Sequence, residues 1–176
     1  MSEIPTSEKK FLKEFLTRTK SNLINYQDEF DMTNIINCSL GLIIFPFEFN
    51  RGRVRKITPN LFTLPAKDLA KDVGFRFSKF QPIENLDGNR HPILFNENKK
   101  SVKLLLNKMR NGLAHQNIRP KNNNGLFDEI VIWNIFERGR GINKFSEKDV
   151  SVIFNQDQLK KFALLIADGF LDKLTK

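Results

Sequence analysis

Residues 98–117 read NKKSVKLLLNKMRNGLAHQN, and the spacing of their apolar side chains decides the fold class. Val102, Leu105, Leu106, Met109 and Leu113 recur every three or four residues, the period of an amphipathic α-helix. At about 100° per residue, the stripe centres near Met109 and Leu113. Asn111 and His115, four residues apart, fall on the opposite side and share one face. Arg110 points to the flank, and its long side chain can reach round. A polar trio is thus gathered on the side of the helix turned away from its own core, with Asn107 and Ala114 close by.

The same period extends outward in both directions. Leu12, Leu16, Thr19 and Leu23 predict a helix over Ser7–Tyr26, with lysines opposite. A second helix is expected from about Asp31 to Phe45. Proline supplies no N–H and disfavours a helical residue before it, so Pro46 should end that helix. Ile35, Ile36, Leu40, Leu42, Ile43 and Ile44 leave it almost no polar face, the mark of a central, buried helix. Leu159, Phe162, Ile166 and Phe170 predict a closing helix that starts at Asn155.

Two stretches break the pattern. Between 46 and 98, four prolines (Pro59, Pro65, Pro82, Pro92) and Gly52, Gly74 and Gly88 predict irregular structure. Ala66–Asp72 is a short helical candidate there, and Phe62, Phe75, Phe77 and Phe80 are expected to pin the segment to the core. After the turn Asn122-Asn123-Asn124-Gly125, Ile130–Phe136 and Val150–Phe154 are β-branched and aromatic. They are expected to pair as a hairpin across a basic tip, Glu137–Asp149.

A chain of 176 residues predicts one domain with a real core, and 40% hydrophobic with 28% charged residues is ordinary for a globular protein. Disorder, collagen and disulfide scaffolds are excluded. A single cysteine, Cys38, cannot form an internal disulfide. Among Ile36, Leu40 and Leu42 it reads as a small core hydrophobe in a protein of a reducing cytoplasm. The N-terminal residues lack an apolar signal region, and the apolar stretch 35–47 is too short to span a bilayer, so no membrane association is expected. Twenty-nine Lys and Arg against 20 Asp and Glu give a net charge of +9, which points to a polyanion such as nucleic acid.

Only two histidines are available for chemistry. His91 lies in Asn89-Arg90-His91-Pro92 and reads as a surface-loop residue. His115 lies with Arg110 and Asn111. Imidazole exchanges protons near neutrality, and guanidinium binds phosphate and stabilises charge on a pentavalent phosphorus. Asparagine can orient the histidine or a phosphate oxygen. If the face packs on a second copy of the chain, two such sets meet across a two-fold axis. This chemistry suits attack of a ribose 2′-hydroxyl on its own phosphodiester, leaving a 2′,3′-cyclic phosphate. It needs no metal or cofactor, and the acidic residues form no convincing ligand set.

Arg110-Asn111-(three residues)-His115 near the end of an amphipathic helix resembles the signature of HEPN domains. The all-round apolar second helix and the closing helix add to the likeness. The resemblance implies a mainly α, HEPN-like helical bundle over 1–176, with an irregular insertion at about 46–98 and a hairpin insertion at about 118–154. It also implies a metal-independent ribonuclease of phage-defence or toxin–antitoxin type, a homodimer with a shared active site, and an antitoxin or defence partner protein. In it Arg110 would contact the scissile phosphate, Asn111 would support the site and His115 would transfer the proton. Asn117 stands where HEPN toxins with a nucleotidyltransferase antitoxin often have tyrosine, so silencing at that position is not implied.

RNA contacts are expected from Arg51, Arg53, Arg55 and Lys56, from Lys108 beside the motif, and from Arg138 and Arg140 at the hairpin tip. Trp133 and the phenylalanines could stack bases, although their strand and helix spacing favours a core role. A non-catalytic helical module that binds RNA, a nucleotide or a protein is the rival to the nuclease. A DNA-binding regulator ranks last, because no basic recognition helix follows a helix-turn signal.

Overall fold

A computed structural model of the chain describes residues 6–25, 31–52, 57–78, 100–123, 126–138 and 145–175. They divide into two compact units, one formed by residues 1–64 with 156–176 and the other by residues 65–155. Helices predominate, with a small antiparallel sheet, in agreement with the mainly α class that the periodicity predicts. No described helix is long and apolar enough to cross a membrane.

The first unit holds α1 (Thr6–Asn25), α2 (Asp31–Gly52), a 3-10 turn (Asn60–Thr63) and α5 (Gln156–Leu174). The three helices pack on one another. Leu12, Leu16 and Leu23 of α1 are buried, as are Leu159, Phe162, Ile166 and Phe170 of α5, matching both predicted stripes. Cys38 is buried too, as a core side chain. Lys20 of α1 and Asp168 of α5 form an ion pair. Both ends remain partly exposed, so it adds at most about 1 kcal/mol to a contact made by apolar burial.

The expected stop at Pro46 is not observed, for α2 runs on to Gly52 with Pro46 inside it. A proline there removes one backbone hydrogen bond and costs about 3 kcal/mol. The aromatic side chains around and beyond it offset that cost. Phe45 lies 4.3 Å from Phe15 of α1, and Phe49 lies 6.4 Å from Phe11, between ring centroids. Phe47 is buried against Phe62, whose ring meets Phe170 edge-on at 5.5 Å. Each such pair contributes roughly 0.5–1.5 kcal/mol beyond burial. Tertiary packing outweighs the local break.

The second unit holds α3 (Ala66–Val73), β1 (Arg76–Phe77), α4 (Val102–Ala114), β2 (Ile118–Asn123), β3 (Leu126–Arg138) and β4 (Phe145–Asn155). The expected hairpin is present as β3–β4, but it is longer at both ends and forms the middle of a four-stranded sheet in the order β1-β4-β3-β2. Two strands escaped the sequence reading. β1 is only two residues long, and β2 contains Pro120, a residue that argues against a strand in all but edge positions. The residues at the hairpin's tip, 139–144, lie outside the described residues, as does Phe80.

Registered pairs show the two faces of the sheet. Ile130, Ile132, Val152 and Phe154 share one face and are buried, with Phe75 at 4.8 Å from the Phe154 ring. The other face carries Arg119, Lys121, Glu129, Val131, Trp133 and Ile153, and Arg76 stands beside Ile153 in register. On that face one Arg76 nitrogen donates to both Glu129 carboxylate oxygens, at 2.5 and 2.7 Å, and Lys121 Nζ donates to one at 3.3 Å.

Helix α4 packs on β3. Val102, Leu105, Leu106 and Met109 are fully buried, but Leu113 is only half-buried and Gly112 takes its place in the contact. A Cβ on Gly112 would stand 2.2 Å from the carbonyl oxygen of Trp133, so only glycine lets the helix come this near the strand. At its start, Ser101 caps the helix by accepting from the Leu104 N–H at 3.4 Å. The helix was expected to reach Asn117 but ends at Ala114. Gln116 adopts φ 57°, the left-handed region that favours glycine. Its N–H donates to the Leu113 carbonyl at 3.0 Å, and the Asn117 N–H to the Gly112 carbonyl at 2.7 Å. These are the two bonds of a Schellman C-cap, here with glutamine where glycine is usual.

Three outcomes test this account. Gly112→Ala should lower unfolding free energy by about 3 kcal/mol in urea denaturation, because backbone and not a movable side chain blocks the methyl group. Gln116→Gly should raise it by about 1 kcal/mol through relief of the left-handed strain. For Glu129, burial pushes the pKa up, but the hydrogen bonds and charges of Arg76 and Lys121 outweigh it and leave the value below the ordinary one. A carboxylate with a depressed folded pKa stabilises above its ordinary pKa, and loses that contribution as pH falls through the folded value. The melting temperature of wild type should therefore exceed that of Glu129→Gln at neutral pH, and the gap should close in acid.

Candidate active site

The last two turns of α4 and the residue that caps them carry the motif. Arg110 is half-buried, and its Nη2 donates to the Asn107 side-chain oxygen at 3.1 Å. That bond turns the guanidinium back along the polar side of the helix, as its flank position requires. Asn111 is half-buried. His115 is the C-cap residue (φ −98°, ψ 15°), and its backbone N–H donates to the Asn111 carbonyl at 3.1 Å. Its imidazole is exposed. Lys108, also half-buried, precedes His115 by seven residues on the same side of the helix.

This helix end is held in place from several directions. Gly112 seats it on the Trp133 carbonyl. The Asn117 carbonyl accepts the Trp133 N–H at 3.1 Å, so the chain enters β2 directly from the cap. The start of α4 is tied to the start of α3, where the Ala66 N–H donates to the Lys100 carbonyl at 2.8 Å and Pro65 bridges to Ser101. A histidine on a fixed backbone, with its side chain in solvent, can meet a substrate without rearrangement of the helix. The half-buried guanidinium and amide beside it can bind a phosphate oxygen.

Arg51 lies in the last turn of α2 with its side chain outside the described residues, and Arg53, Arg55 and Lys56 follow outside them. Arg138 closes β3, again with an undescribed side chain, while Arg140 and His91 lie outside. Among the described residues, no three His, Cys, Asp or Glu side chains are grouped to hold a metal ion.

Gly112, Gln116 and the pair Arg119–Trp133, in which the guanidinium carbon sits 5.8 Å from the ring centroid, belong to the site's surroundings without being part of its motif. One signal of them was present in the sequence. Glycine amid strong helix formers costs about 1 kcal/mol, and such a residue inside a helix usually marks a close approach.

The chain matches no curated protein and no solved structure. A family model described as HEPN pEK499 p136 matches residues 1–176. The match spans the whole chain, which therefore belongs to that HEPN family, a class of nuclease and RNA-related modules.

Proposed function

We propose that this HEPN domain is a metal-independent endoribonuclease, acting as a cytoplasmic homodimer whose Arg110, Asn111 and His115 from both copies line one cleft. The observation that carries the reading is the presentation of the trio. An exposed imidazole stands at the end of a helix whose cap and glycine contact hold its backbone, next to a half-buried guanidinium and amide.

The chemistry follows from these groups. His115 accepts the proton of a ribose 2′-hydroxyl as its oxygen bonds to phosphorus. Arg110 stabilises the negative charge gathering on the phosphoryl oxygens, and Asn111 orients the histidine or the phosphate. The P–O5′ bond then breaks, and the 5′-oxygen takes a proton. One imidazole cannot be base and acid on opposite sides of phosphorus at once. A second copy related by a two-fold axis supplies the other, and this is the reason to expect a dimer. The products are a 2′,3′-cyclic phosphate and a 5′-hydroxyl. Lys108 and the basic residues named above steer the RNA backbone. Uncontrolled RNA cleavage is toxic, so phage defence or a toxin–antitoxin pair, with a partner protein that restrains the enzyme, is the setting this activity fits.

The test is RNA cleavage in excess EDTA by wild type, His115→Ala and Arg110→Ala, with the fragment ends mapped and the mass in solution measured. Expected are a dimer, cyclic phosphate ends, and at least a ~100-fold loss in each variant. Cleavage that persists in the variants would sink the assignment of these residues. Absence of cleavage with RNA binding intact would leave a non-catalytic RNA-binding module instead.

A further inference from the structure

The sheet face opposite the buried row Ile130, Ile132, Val152 and Phe154 has a composition that the proposed chemistry does not use. Its described residues fall on three rungs. Trp133 and Ser151 form the first, level with Asn117 through the Trp133 N–H bond. Arg76, Ile153, Val131 and Arg119 form the second, and Asn155, Glu129 and Lys121 the third. Val131 and Ile153 make an apolar floor, Val131 buried and Ile153 half-buried. Around it Arg76, Arg119 and Lys121 are exposed, and Glu129 is the one carboxylate among the described residues of these rungs. Two of the cations share that carboxylate. The third, Arg119, lies over the half-buried Trp133 ring.

We infer that this face is a binding platform for single-stranded RNA, with Trp133 stacking a base and Arg119, Lys121 and Arg76 holding phosphates. An indole presented on a sheet and flanked by arginines matches what an unpaired nucleotide offers, a π-face and a charged backbone. A duplex has no free base face to offer, and a protein partner has no need of three cations around an aromatic. Arg119, on a flexible exposed stem, moves from the ring to a phosphate when a base takes its place.

The platform is joined to the catalytic helix. The Trp133 N–H bonds to Asn117, just past the end of the helix, and its carbonyl lies close against Gly112. Two residues of chain span at most about 7 Å, and neighbouring strands lie about 5 Å apart. The backbone of Trp133 is therefore within roughly 12 Å of the backbone of His115. The inference deepens the ribonuclease reading and rests on RNA as the substrate.

Trp133 is the only tryptophan in the chain, so its emission reports on this face alone. The experiment titrates an unstructured oligouridylate onto His115→Ala dimer, which keeps the RNA intact, and follows both tryptophan quenching and the anisotropy of labelled RNA. Quenching that tracks binding is expected, with affinity about tenfold lower in Trp133→Ala. Because Trp133→Ala removes packing, Arg119→Glu with Lys121→Glu serves as the surface variant and should weaken binding at least as much. Binding without quenching, or unchanged in the surface variant, overturns the platform while leaving cleavage by the helix residues untouched. Quenching in His115→Ala, with no cleavage by wild type, upholds the platform and defeats the nuclease reading.

Discussion

At Gly112 the backbone of α4 comes so near the carbonyl of Trp133 that no side chain fits between them. This approach fixes the height of the helix over the sheet. The row Val102, Leu105, Leu106 and Met109 of the same helix is fully buried. The approach also leaves so little chain between helix and strand that the C-cap must turn sharply into β2. The left-handed Gln116 is the consequence, and its strain is outweighed by the two cap bonds and the strand pairing that follow. One missing methyl group thus links helix packing, cap geometry and the placement of His115.

The division of labour in the motif follows from the same constraint. Its six residues contain three different kinds of position. Gly112 faces the sheet, Arg110 and Asn111 are half covered on the flank and far side, and His115 stands free of the helix body in solvent. The guanidinium is directed by Asn107 one turn earlier, so the helix supplies its own orienting group. The chain belongs to the HEPN family over its whole length, the motif included. Membership and arrangement together make phosphate chemistry at the end of α4 the reading most worth pursuing.

The helices were largely legible in the sequence because their period is a local property. Leu12, Leu16, Leu23, Leu159, Phe162, Ile166 and Phe170 were all assigned to the core and are buried. The hairpin was legible from its β-branched runs. What could not be read were features decided by distant partners. Pro46 reads as a stop until the rings of Phe11, Phe15 and Phe62 are placed against the residues around it. Strand β1 has no pattern of its own and exists through β4. In the candidate site, the polar trio and its face were legible from helical geometry. The early end of α4 was not, since Gln116 is an unusual residue for a left-handed cap and gives no warning.

Strand β2 is the last in the sheet order, and Pro120 sits in its middle between exposed Arg119 and Lys121. A proline there has no N–H to offer an incoming strand, and two cations side by side repel a second copy of themselves. The sheet therefore resists growth along this edge, by stacking of monomers or by misfolded chains. The sheet of this HEPN domain thus presents a surface beside β2 without offering that edge as a route to aggregation. Strand addition at β2 is disfavoured, and two copies that meet at this edge must do so through side chains.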